Sequence, residues 1–110
     1  MTEQDVNRGR KNAIISYLTI IGVIIAFYMN NDENRSSFAS FHIRQALGLW
    51  LTFFLLGRVV GSLDSWLASS SFYLGFIVLF IYGFTGAVSR KAVPVPLLGD
   101  FYQKLFSSIQ

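Results

Sequence analysis

Long apolar stretches alternate with short polar ones along this chain. Residues 12–31 carry no charge, residues 45–63 carry one, Arg58, and residues 65–89 carry none. A bilayer core of about 30 Å takes about 20 predominantly apolar helical residues. The pattern therefore predicts an all-α integral membrane protein. Three transmembrane helices, at about 12–29, 40–63 and 72–89, form a small bundle. A polar tail, residues 1–11, precedes them and is expected to fray.

The polar breaks carry their own signals. Residues 30–34 read as a turn, because Asn and Asp bond their own backbone there. Ser36 to Ser40 offers N-cap oxygens for the second helix, expected to start near Ser37 or Ser40. A short connection around Asp64 and Ser65 carries Trp66, a residue suited to the membrane interface. Pro94 and Pro96 forbid continued helix after the basic pair Arg90-Lys91. Beyond them, Asp100 is an N-cap candidate. Leu98, Phe101, Tyr102, Leu105, Phe106 and Ile109 recur at spacings of three and four. Residues 92–110 thus read as a Pro-containing linker and a short amphipathic helix. That helix either lies in the membrane interface or packs on the end of the bundle.

Composition supports a membrane setting. Of the 110 residues 53% are hydrophobic and 14% charged, where a soluble domain carries about 25% charged residues. The first apolar run follows Arg8-Gly9-Arg10-Lys11, as a secretory signal does. It is longer than a signal's apolar region and lacks a small-residue cleavage site, so a retained first span is expected. The net charge of +3 sits beside the apolar runs, which reads as topology signal and lipid contact, not nucleic-acid binding. With three spans, Arg8, Arg10 and Lys11 face Arg35, Arg44, Arg90, Lys91 and Lys104 across the membrane. That balance predicts a cell-membrane protein with its N-terminus outside and its C-terminus in the cytoplasm.

Candidate chemistry is sparse. There is no Cys and a single His, His42, so neither a disulfide framework nor a metal site is expected. No phosphate-cradling glycine motif occurs, and no cofactor or catalytic set is expected. Arg58 is the one charge inside an apolar run. Snorkelling to the headgroups is the expected outcome, with a polar contact inside the bundle or a pore lining as alternatives. Gly57 and Gly61 around it form G-x-x-x-G, and Gly22 with Ala26 and Gly83 with Ala87 repeat the small-residue spacing. Such faces let helices approach closely in lipid.

Phe41-His42-Ile43-Arg44-Gln45-Ala46-Leu47 resembles the F-H-x-R-Q-A-L signature of small bacterial membrane proteins. These are related to the twenty-kilodalton subunit of the chloroplast inner-envelope protein-import translocon. Pro94-Val95-Pro96-Leu97-Leu98-Gly99 resembles the I-P-x-x-G ending of the same group. The resemblance implies a non-enzymatic, import-component-like subunit, structural or adaptor in kind, acting through helix–helix contacts. An oligomeric pore or small transporter is the alternative. The partners so implied are the lipid bilayer and further copies of the chain or another membrane protein. It also singles out His42, Arg44 and Gln45. Arg44 can grip a phosphate or carboxylate, and Gln45 can bond a neighbouring backbone. Together they are expected to fix the depth and rotation of the second helix.

Overall fold

Five helices follow one another in the computed structural model, which describes residues 1–30 and 35–108. They are α1 (Glu3–Ser16), α2 (Ile20–Met29), α3 (Ser37–Ser62), α4 (Trp66–Val88) and α5 (Gly99–Leu105), and no strand occurs among the described residues. The expected turn at 30–34 falls, after Asn30, outside the described residues, as does Ile109 of the expected tail helix.

Among the described residues two helices, not three, are long and apolar enough to cross a membrane: α3 with 26 residues and α4 with 23. The expected first span is broken. Ser16 turns its hydroxyl back to the Ala13 carbonyl at 2.7 Å, and Tyr17 caps α1. Thr19 then starts α2 by accepting a hydrogen bond from the Gly22 N–H at 3.0 Å. Gly22 lies directly against the Ile15 carbonyl, where a side chain would collide. The chain therefore reverses on itself. Both arms are apolar here, so hydrophobic pattern alone does not register the break. The ten residues of α2 reach about 15 Å, half of a bilayer core.

The N-terminal segment is also not a frayed tail. It is helical from Glu3 because it is docked at the start of α3. The first turn of any helix leaves N–H groups without partners, and an anion is favoured there. Asp5 supplies it. Its carboxylate accepts from the N–H groups of Ser37 and Phe38, both at 2.9 Å. Ser36 caps α3 with its hydroxyl and donates to the Asp5 carbonyl at 2.8 Å. Gly9 lets α1 lie against Ser36 and Ala39. Asn30, at the end of α2, returns to the same place and bonds Ser36 and Ser40. The α1–α2 hairpin thus runs partway down α3 and back.

α3 and α4 form the long hairpin. Asp64 makes the reversal at φ 52°, and Ser65 caps α4. Phe53 stacks on Phe72 with ring centres 5.7 Å apart, and Trp50 meets Phe80 at 4.6 Å, so the seam is filled with aromatic rings. α4 ends with Arg90 in the left-handed region, φ 63°, while the Lys91 N–H returns to the Gly86 carbonyl at 2.8 Å. The chain then descends beside α3 and turns at Leu97. α5 climbs back, with Tyr102 packed on Gly48. Of the two placements expected for this amphipathic segment, one face is packed on the bundle: Tyr102 is buried, whereas Phe101 and Leu105 are exposed.

The molecule measures 48 × 22 × 22 Å. Its core lies in the half that holds both chain ends. Phe38, Ile43, Leu49, His42 and Gln45 of α3 are fully buried there. The other half consists of the α3–α4 hairpin alone, with Leu51, Phe54, Leu55, Leu56, Val59, Leu67, Leu74, Ile77 and Val78 exposed.

Candidate functional site

The first three turns of α3 place His42, Arg44 and Gln45 where the polypeptide leaves regular structure. His42 and Gln45 are one turn apart on one face, and both are completely buried. Between them stands the hydroxyl of Tyr17, from the break between α1 and α2. It lies 2.6 Å from His42 Nδ1 and 2.9 Å from Gln45 Nε2. His42 Nε2 is 2.9 Å from the Lys91 carbonyl. A carbonyl only accepts, so Nε2 carries the proton and Nδ1 accepts from Tyr17. The tyrosine oxygen in turn accepts from Gln45. The other end of the Gln45 amide accepts from the Val95 N–H at 2.8 Å.

A relay of five groups results, three side chains and two backbone groups. It ties the α1–α2 reversal to the irregular stretch after α4. Arg44, on the adjacent face, completes the attachment: its Nε donates to Gln103 Oε1 at 2.7 Å, and Gln103 Nε2 donates to the Phe41 carbonyl at 2.9 Å. Lower down, the Tyr102 and Thr52 hydroxyls meet at 2.7 Å. Burial pushes the Tyr102 hydroxyl above its ordinary range, a shift that the Thr52 contact only partly offsets, so it stays protonated. Backbone groups outside helices need partners when buried, and these side chains supply them.

Of the three signature residues, His42 and Gln45 share the buried relay, while Arg44 is half-buried on the adjacent face against Gln103. Sequence reasoning missed their partners. Tyr17 is one hydroxyl in an apolar run, and Gln103 sits in a tail with no visible link to α3. Trp50 also belongs here, its indole donating to the Ser16 carbonyl at 3.3 Å. The small residues divide. Gly83 faces the Tyr17 ring and Ala87 is fully buried, as are Gly22 and Ala26 on α2. Gly57 touches Phe72, whereas Gly61 faces open space. Arg58 is far from the relay and exposed on the two-helix half.

Among the described residues no three His, Asp or Glu side chains gather in a way that could hold a metal ion. One buried polar side-chain atom among them, Asn12 Oδ1, has no hydrogen-bond partner.

Contacts also set the charge distribution. Arg8 donates to the Arg35 carbonyl at 2.7 Å and Arg10 to the Val88 carbonyl at 2.9 Å, while Arg44 bonds α5. The basic residues of the N-terminal segment therefore share one end of the molecule with Arg35, Arg44, Arg90, Lys91 and Lys104. The expected arrangement set the two groups apart, whereas the reversal after α1 brings them to the same end of the molecule.

No protein-family model, curated protein or solved structure matches this chain.

Proposed function

We propose that this is a small integral membrane protein, import-component-like, that serves as a structural or adaptor subunit through helix–helix contacts. The carrying observation is the surface of the α3–α4 hairpin. Less than a third of the most apolar stretch of α3 and less than a fifth of that of α4 is buried. A core helix of a soluble protein hides such residues, and an exposed apolar surface of this extent marks membrane or protein contact. On this reading the hairpin crosses the bilayer and both chain ends share one side. Eight of the nine Lys and Arg residues lie at that end, which favours the cytoplasm for it. The α1–α2 hairpin and the α5 segment enter one leaflet only.

An adaptor role is supported by what the hairpin leaves bare. Gly61 and Gly75 face open space in the two-helix half, which leaves room for another helix. The aromatic seam between α3 and α4 leaves no polar path within one chain, so the pore reading has no observation in its favour. The relay residues have their hydrogen bonds committed to holding backbone, which supports a non-enzymatic reading. The test is two-tiered. Alkaline carbonate washing should leave the protein in the membrane pellet, and release would sink the membrane reading. Purification in mild detergent should retain a defined membrane-protein partner that Gly61→Leu with Gly75→Leu displaces. Unchanged partner recovery from that variant would remove the adaptor reading at this face.

A further inference from the structure

We propose that the cleft between α1 and the end of α4 binds the headgroup of one anionic phospholipid, an inference that rests on the membrane reading above. The cleft has a volume of about 520 Å³ and is lined by Asn7, Arg10, Lys11, Ile14, Ile15 and Arg90. Three cations converge there, and among the described residues no carboxylate lines it. The ion pair between Arg8 and Asp5 lies elsewhere. Like charges brought together without an anion repel, and a phosphate offers the missing counter-charge to both guanidinium and ammonium groups.

Two features fix the cations. Arg10 is anchored by its Nε to the Val88 carbonyl at 2.9 Å, which spans the cleft from α1 to α4. Arg90 is held at φ 63°, a helix-terminating position where glycine is the usual residue. A bulky cation is thus kept where the backbone itself disfavours it.

The lipid assignment follows from what lies below the charges. Arg10 and Ile14, and Lys11 and Ile15, are each one turn apart on α1. The cleft is therefore cationic toward the chain-end face and apolar toward the middle of the hairpin. The apolar side continues onto exposed Leu18 and Ile21, at 58% and 64% exposure. An anionic head above an apolar tail matches this gradient. A free phosphate uses only its upper half. Basic pockets between helices at the cytoplasmic face are a recognised way of holding lipid phosphates.

The test uses the full chain purified in neutral detergent, with phosphatidylglycerol, phosphatidylcholine or inorganic phosphate added. Native mass spectrometry and thermal unfolding are the readouts. One phosphatidylglycerol per chain should be retained and should raise the unfolding temperature, while phosphatidylcholine should not. Each surface cation contributes about fivefold to such binding, so Lys11→Gln with Arg90→Asn should weaken it roughly 30-fold. Lys11→Gln alone, at an exposed position, should give about fivefold. Arg58→Gln, at the far end, should bind as the unaltered chain does. Equal response to phosphatidylcholine, undiminished binding by both cleft variants, or the same stabilisation by inorganic phosphate would overturn the proposal. A carbonate wash of the source membranes separates the two failures: a pelleted protein without lipid selectivity loses the cleft alone.

Discussion

At the scale of single residues, Tyr17 carries more than its place in an apolar run suggests. Its hydroxyl is both acceptor for Gln45 and donor to His42, so removing it strands two buried groups at once. Each such group costs about 1–3 kcal/mol. Tyr17→Phe should therefore destabilise the protein by about 2–4 kcal/mol, read as a fall in unfolding temperature in detergent. A variant as stable as the parent would mean that the relay is not what holds the stretch between α4 and α5. Asn12 gives the opposite sign. Its Oδ1 is buried without a partner, so Asn12→Ala removes an unmet acceptor. It should leave stability unchanged or raise it by about 1 kcal/mol.

Elements dock here through capping and close approach, and both can be probed. Burial acts to raise the Asp5 carboxyl, but the Phe38 and Ser37 N–H groups, the Ser36 hydroxyl and Arg8 together hold it below its ordinary value of 3.8. A carboxyl lowered on folding stabilises fully above its unfolded value and loses that contribution as pH falls through the folded one. Docking of α1 on α3 should thus be intact near neutrality and weaken below about pH 4. Protection of the Ser37 and Phe38 amides, taken relative to their intrinsic exchange rates, should fall there. In Asp5→Asn it should be low already at neutral pH, with no further acid step. The glycines separate packing from exposure. A side chain at Gly48 would enter the Tyr102 ring, whereas one at Gly61 meets nothing. Gly48→Leu should release α5 and expose it to protease, while Gly61→Leu leaves the isolated chain as stable as before. Equal effects would contradict this division of contacts.

For the whole molecule, the test is topology. The chain has no Cys, so single cysteines can be placed at will. Gln4→Cys and Ser107→Cys should both resist an impermeant reagent in intact cells and react once the cells are opened. Trp66→Cys, at the hairpin tip, should react from outside. Labelling of position 4 together with position 66 would restore a third crossing and end the two-span reading.

Much of this was legible in one dimension. Length and apolarity define α3 and α4, because a helix that meets hydrocarbon has no polar side to hide. The N-cap at Ser36, the prolines that keep helix from resuming in the stretch after α4 and the amphipathic spacing of α5 are local chemistry, written within a few residues. Whether the first apolar run is one helix or two was not written there. A run of twenty apolar residues satisfies the same periodicity whether it continues straight or folds at Tyr17, and only the neighbours of the break decide. Thr19 caps a reversal because Gly22 can meet Ile15, and the reversal is worth making because Tyr17 then reaches His42 and Gln45. Those contacts join residues 17, 42, 91 and 95, and the Asp5 contact joins residues 5 and 37. Hydrogen bonds across such separations leave no trace in pattern or composition. They exist only where packing has removed water and left each buried polar group one available partner.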